Sequence, residues 1–265
     1  MQTYPLPTFV IKKHGDTEYG IIEWGRARNS LFERYYEAVQ INEVYTSIYE
    51  LEQILEDDPY FLDAYNAIGW MEMDMLNYGL ALDQFETARK KAQKFVPKNF
   101  QGLIEWGFSE NRPFLRTLQG LGIGLLNIHQ YKKAVKIFEQ MLSYNPDDNQ
   151  GIRMAAIHAY MALGNFNAIL NLCARFPDDI MADVLYGKVY AYFRLDRLSE
   201  ARKALEQAIQ QSPNIAKEIT KKSHKTVRVG MPFAYGSEEE AFDFWNRVGI
   251  FWTDPKLISF VKEAL

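Results

Sequence analysis

Cysteine is nearly missing from this chain. Cys173 is the only one in 265 residues, which excludes an internal disulfide and any zinc cluster built on cysteine. No uncharged apolar run approaches the roughly 20 residues that a membrane-spanning helix needs. The opening MQTYPLPTFVIKKHG has no basic stretch followed by an apolar one, so it does not read as a secretory signal. An excess of one charge is missing too. Thirty Lys and Arg against 34 Asp and Glu leave a net −4, which gives no electrostatic support to nucleic acid or an anionic membrane as the main partner. A soluble protein of the cytoplasm, with no membrane contact, is the expectation.

Apolar residues make up 48% of the chain and aromatics 14%, ample for a continuous core and unlike a disordered chain. The clearest pattern runs over 115–150. With Leu115 as position 1, Gly122 stands at 8, Ala134 at 20, Phe138 at 24 and Pro146 at 32. Leu121 and Leu125 take 7 and 11, and Leu118 takes the place of the usual Trp. This stretch resembles the tetratricopeptide repeat, a 34-residue helical hairpin. Gly122 and Ala134 are small where two antiparallel helices cross, Phe138 fills the space beside them, and Pro146 ends the second helix because it lacks an N–H. A hairpin of this kind cannot bury its apolar face alone, so its neighbours should carry the same signature.

They do, unevenly. Ahead of the first repeat, Pro5 and Pro7 rule out an early helix, and Phe9–Ile11 could pair with Tyr19–Ile22 across His14-Gly15-Asp16 as a short hairpin or extended arm. A repeat from Arg28 has a degenerate first helix but places Ser47, Leu51, Ile54 and Pro59 at 20, 24, 27 and 32. One from Leu62 has Gly69 at 8, Ala81 at 20 and Phe85 at 24. Downstream, Gly164-Asn165 turns a further helix pair, and Tyr186-Gly187, Ala201, Leu205 and Pro213 mark the last. On top of this lies a duplication. Gly20-Ile-Ile-Glu-Trp24-Gly25, with Asn29, Phe32 and Arg34, recurs as Gly102-Leu-Ile-Glu-Trp106-Gly107, with Asn111, Phe114 and Arg116, at one constant offset. Each lead-in introduces two hairpins.

The expected architecture is therefore all-α: a right-handed α-solenoid of about five tetratricopeptide-like hairpins. Residues 1–27 form an N-terminal arm, 28–213 the array (with a lead-in loop at 96–112), and 214–265 a basic connector and a C-terminal helical cap. The connector carries Lys217, Lys221, Lys222, Lys225 and Arg228 and ends in the helix-breaking GMPFAYG. Ser237 and Glu240 form a capping box for one terminal helix. Asp254 and Pro255 open another.

A narrower resemblance covers about half of the chain. Arg112-Pro113-Phe114-Leu115-Arg116 followed by Asn145-Pro146-Asp147-Asp148-Asn149-Gln150-Gly151-Ile152-Arg153 is similar to a set of bacterial tetratricopeptide proteins sharing N-P-x-D-N-Q-G-x-R. It implies the fold and a bacterial intracellular setting, and it carries no activity.

Catalytic and ligand signatures are weak. Gly120-x-Gly122-x-Gly124 lies inside a repeat helix, where close packing explains it better than a phosphate loop, which needs a preceding strand. His14, His129, His158 and His224 show no metal-ligand spacing. Cys173 reads as a small buried residue. Glu238, Glu239 and Glu240 complement a helix N-terminus. Arg89, Lys90, Lys91, Lys94 and Lys98 form a basic stripe, read as a solvated helix end, with a phosphate or acidic-tail site as the alternative. Trp24 and Trp106 read as anchors for the lead-ins in preference to stacking platforms for a ligand. No enzyme, metal or cofactor is expected.

What the family resemblance implies about binding is a concave groove lined from the first helix of each hairpin at positions 2, 5, 9, 12 and 13. The residues placed there as partner contacts are Phe32, Tyr36, Asn66, Trp70, Gln119, Arg153, Tyr160, Tyr186 and Tyr190. The carboxylate clamp of chaperone-tail adaptors is absent, since those positions hold Asn66 and Trp70, then Gln119 and Ile123. A protein-interaction scaffold taking a peptide or partner protein is the leading expectation. The alternatives are a helical-repeat RNA binder, opposed by Asp63, Asp74 and Asp183, and an enzyme using the lead-in loops. The groove could also be filled by the protein's own C-terminal helices.

Overall fold

The computed structural model describes residues 4–225 and 233–265. Arg228 and the first part of the GMPFAYG run lie outside the described residues. Five helical hairpins follow in order: α1 (Asn29–Ala38) with α2 (Val44–Asp57), α3 (Leu62–Asp74) with α4 (Tyr78–Ala92), α5 (Arg112–Asn127) with α6 (Tyr131–Tyr144), α7 (Ile152–Leu163) with α8 (Phe166–Ala174), and α9 (Ala182–Arg194) with α10 (Leu198–Gln211). The fold is the all-α helical-repeat class that the spacing predicts. The chain divides into two units, Met1–Ile152 and Arg153–Leu265.

Repeat spacing explains the helix crossings. Ala81, Ala134 and Ala201, at position 20 of their repeats, are fully buried, as are Phe85 and Phe138 at position 24. A Cβ on Gly122 would press into the Phe138 ring, and one on Gly120 into the Phe85 ring. The glycine triplet is thus a packing device. After the first hairpin, each first helix ends on a left-handed residue: Leu76, His129 and Asp196 at φ 64°, 60° and 58°, and Gly164 at 66°.

In the first unit, β1 (Thr8–His14) and β2 (Thr17–Glu23) form an antiparallel hairpin, Phe9 opposite Ile22 and His14 opposite Thr17. Its turn is Gly15-Asp16, with Gly15 at φ 58°. A fully buried ion pair, Arg28 Nε to Asp58 Oδ2 at 2.6 Å, ties the start of α1 to the end of α2.

In the second unit the terminal region differs from the sequence expectation. α10 stops at Gln211, as Pro213 predicts, but Pro213 also opens a further helix, α11 (Pro213–Ile219), inside the expected connector. Proline's fixed φ suits a first turn, where its missing N–H has no partner to lose. Ile215, Ala216 and Ile219 then bury one face completely. α12 (Glu238–Val248) and α13 (Pro255–Lys262) complete the unit. The Ser237 hydroxyl accepts from Glu240 N–H at 3.1 Å as a capping box requires, but the Glu240 carboxylate reaches back to Gly236 N–H (2.7 Å) and accepts from the Ser212 hydroxyl (2.8 Å).

Among the described residues no helix is long and apolar enough to cross a membrane.

Candidate functional site

The nine expected contact residues fall in both units: Phe32, Tyr36, Asn66, Trp70 and Gln119 in the first, Arg153, Tyr160, Tyr186 and Tyr190 in the second.

In the second unit the repeat beginning at Ala182 puts Asp183, Tyr186, Tyr190, Phe193 and Arg194 at positions 2, 5, 9, 12 and 13. Every one of them meets the chain's own terminal segment. Arg247 donates twice to Asp183, at 2.5 and 3.0 Å. The Tyr186 ring lies 5.5 Å from Phe244 and 5.9 Å from Trp252 between centroids. Tyr190 meets Trp252 at 5.7 Å and Phe251 at 6.3 Å, and Phe193 meets Phe260 at 5.3 Å. Arg194 Nη1 reaches Asp254 at 3.2 Å. Tyr186 is fully buried and its hydroxyl donates to the Ser212 carbonyl at 2.8 Å. Burial pushes that phenol above its ordinary range. Tyr186 and Tyr190, expected as partner contacts, are here the bed on which the terminal segment rests. A ring with no exposed face has nothing to offer a second molecule. Tyr160 is also buried, and Arg153 is held by Asp179 with its guanidinium 4.9 Å from the Phe176 ring centroid.

In the first unit the corresponding face is more open. Tyr36 is 59% exposed. Phe32 is half-buried, edge-on to Phe61 at 4.9 Å, and Trp70 is half-buried, edge-on to Phe85 at 5.6 Å. Gln119 accepts from Gln150 Nε2 at 2.8 Å. Asn66 is the exception. It is buried, donates to the Pro113 carbonyl (2.8 Å) and accepts from the Thr117 hydroxyl (2.9 Å), so it ties α3 to α5 and its amide is already used.

Beside these residues lies a cluster that repeat spacing alone did not reveal. Arg116 Nη1 contacts Asp63 Oδ1 at 3.2 Å, and both Arg116 and Arg112 lie over the Trp106 ring, at 5.5 and 5.2 Å. Desolvation, against the pull of Arg116, holds the Asp63 carboxyl above its usual value. Burial, then the nearby Asp63 charge, pushes the Tyr35 phenol up to about 12. The available signal was opposite charges, Asp63 and Arg116, at position 2 of successive repeats.

The lead-ins pack on each other. Gly20 N–H donates to the Leu103 carbonyl at 2.7 Å and Leu103 N–H to the Glu18 carbonyl at 2.8 Å, so the second lead-in runs as a short parallel edge to β2. Fully buried Asn111 accepts from Ile22 N–H (3.1 Å) and donates to the carbonyls of Gly20 (3.0 Å) and Glu105 (3.2 Å). Trp24 Nε1 donates to the Glu110 carbonyl at 2.7 Å and the ring meets Phe95 edge-on. Both side chains thus bond to backbone groups of the lead-ins.

The remaining candidates find structural places. His129 bonds Tyr131 in the α5–α6 turn, His158 meets Phe251 at 5.6 Å, and His224 stacks on Trp245 at 3.5 Å while contacting Glu218. Among the described residues no cluster of His, Cys, Asp or Glu is placed to hold a metal ion. Cys173 is buried, and desolvation pushes its thiol up to about 12, which keeps it from acting as a thiolate. The N-P-D-D-N-Q-G run is a helix entry: Asp148 accepts from Ile152 N–H at 2.7 Å, and Asn145 accepts from Trp106 N–H at 3.3 Å.

Comparison with known proteins agrees with this architecture. Residues 182–215 match the tetratricopeptide repeat family. No curated protein matches the chain. Among solved structures, it is similar to YrrB, described as a TPR protein with an unusual peptide-binding site, with a TM-score of 0.52 and 20% identity, covering 66% of this chain and 81% of that one. A mutant form of MamA gives 0.52 and 16%, covering 70% and 99%, and MamA of MSR-1 gives 0.52 and 15%, covering 70% and 97%. At these identities the likeness is one of fold.

Proposed function

We propose that this tetratricopeptide-repeat chain is a non-catalytic protein-interaction scaffold, and that its open binding face is the one carrying Phe32, Tyr36, Trp70 and Gln119 in the first unit. The observation that carries the reading is the contrast in occupancy. All five groove positions of the 182–215 repeat touch the terminal segment, while Tyr36 stays 59% exposed and Trp70 half-buried. Aromatics placed so are the residue types that dominate interface energies. The partner is a protein or peptide presenting apolar side chains, with an acceptor for the side-chain NH2 of Gln119. A bacterial cytoplasmic setting belongs to the same reading and rests on the N-P-x-D-N-Q-G-x-R resemblance.

Photo-crosslinking tests it. A photoreactive phenylalanine at position 36 or 70 of the full chain, irradiated in native lysate, should yield one discrete protein adduct, the same from both positions. At exposed Lys133, on a second helix, it should not. Equal adducts from all three positions, or none at 36 and 70, would overturn the reading.

A further inference from the structure

A basic notch with an apolar floor opens in the first unit, away from the groove positions. Its volume is about 230 Å³. The floor is Val96, Phe114 and Leu118, all buried. Arg89 near the end of α4 and Lys98 in the turn beyond it supply the charge, and Tyr144 at the end of α6 supplies a hydroxyl. Among the described residues, no acidic one lines the notch.

The polar groups are incompletely used. Arg89 gives one terminal nitrogen, Nη2, to Glu86 at 2.9 Å, and neither its Nε nor its Nη1 donates to a group among the described residues. The Nε is buried out of reach of any ligand, which leaves Nη1 as the donor for a group in the notch. The Tyr144 hydroxyl accepts from Gln140 Nε2 at 3.2 Å, and its own proton is then available to donate. The notch therefore offers a guanidinium N–H, an ammonium and a phenolic O–H over a hydrocarbon bed. A phosphate would bring more charge and more oxygens than a wall this apolar can serve. A single carboxylate matches both the donor set and the reachable, unshared Nη1 of Arg89. The volume lies below the range of sites for drug-sized ligands, so it suits a group the size of one amino-acid side chain.

We propose that this notch binds a carboxylate carried on a compact apolar group, the carboxylate on Arg89 Nη1 and Lys98 Nζ and the apolar group on Phe114 and Leu118. The same chemistry is offered by a small free acid and by the last residue of a peptide. Arg89 and Tyr144 lie on second helices and not at groove positions, so the site is independent of the face proposed above and either can fail alone.

The test is calorimetric titration of the full chain with N-acetylphenylalanine, with its neutral amide, and with a pentapeptide, Gly-Gly-Gly-Gly-Phe, ending in a free carboxylate. The acids should bind and the amide should bind at least about tenfold more weakly. Arg89→Gln and Lys98→Gln should each weaken the acid about tenfold or more, with the melting curve unchanged. Arg89→Lys, which keeps the charge but loses the planar guanidinium donors, should fall between. A peptide much tighter than the free acid identifies a chain terminus as the ligand, and equal affinities identify a small acid; both sustain the site. Equal binding of acid and amide, no heat with any probe at millimolar concentration, or full affinity in Lys98→Gln would overturn it. Lys98 is exposed, so that variant stays informative even if Arg89→Gln misfolds.

Discussion

Helices α3 and α9 carry an aspartate at the same repeat position, and the two carboxylates meet different fates. Asp63 and Asp183 are both buried, at 7% and 4% exposure. Asp63 has one 3.2 Å contact with Arg116, the residue at its own position in the next repeat, and desolvation wins. Asp183 receives two hydrogen bonds from Arg247 of the terminal segment, at 2.5 and 3.0 Å. Repeat position thus sets which way a side chain points. What it meets there decides its chemistry. In the first unit the neighbour is another repeat and part of the face stays open; in the second it is the terminal segment, which leaves Tyr186 sealed.

The largest effect should come from removing that seal. Trp252 has no exposed surface and touches Tyr186, Tyr190 and Phe244. Trp252→Ala should cost about 3–5 kcal/mol. Trp70→Ala, at a half-buried ring, should cost roughly 1–2 kcal/mol of lost apolar burial. Urea denaturation followed by circular dichroism compares them, and equal losses would mean that the two faces are equally sealed.

The aspartates come next. Asp183→Asn removes the charge that Arg247 faces and should cost about 1–3 kcal/mol at neutral pH. Asp63→Asn should be within about 0.5 kcal/mol of neutral or stabilising, because the wild-type group is already penalised as an anion. The pH dependence gives the sign. Since the folded-state value of Asp63 is raised, its contribution to stability is full below the ordinary carboxylate value and is lost as pH rises through the raised one. Asp63→Asn should flatten that decline. A variant that steepens it would place the carboxylate in a stabilising ion pair after all.

These contrasts mark how far the sequence could be read. Gly122, Ala134 and Phe138 announce a hairpin because helix crossing demands small and large residues at fixed spacing, and the five hairpins follow. The duplicated lead-ins were visible as a repeated string, but a constant offset says nothing of contact, so the clamp of Asn111 on β2 was not. Pro213 marks the end of α10, which stops at Gln211, but proline begins helices equally well, and only the buried face of Ile215 and Ile219 reveals that it also opens α11. Tyr186 and Tyr190 look alike in sequence whether a peptide or the chain itself covers them. The residue that seals Tyr186, Trp252, is remote in sequence, and no local pattern connects the two.

The turns sharpen the comparison at about 1 kcal/mol. Gly164 in the second unit holds φ 66° without strain, while Leu76 in the first holds 64° with a side chain 69% exposed. Gly164→Ala should destabilise by about 1 kcal/mol and Leu76→Gly should stabilise by up to about that much, since the left-handed region penalises a Cβ. Thermal melts of the two variants should move in opposite directions. Shifts of the same sign would show that the chain at one turn relaxes to another conformation.

The smallest effect on stability carries the most about function. Tyr36 is largely exposed and touches Tyr35 edge-on at 5.5 Å. Tyr36→Ala should therefore change stability by less than about 0.5 kcal/mol, as exposed substitutions do. If the open face takes a partner, the same change should weaken capture of the protein crosslinked at position 36 by about tenfold or more, the scale of a hot-spot aromatic. Tyr190→Ala should do the reverse: a clear loss of stability through the terminal segment, and capture altered only as far as the fold is lost. Two measurements on each variant, melting and capture, then form a crossed pattern that a uniform groove cannot produce. Capture lost equally in both variants at temperatures well below either melt would mean that the terminal segment leaves its bed when a partner arrives.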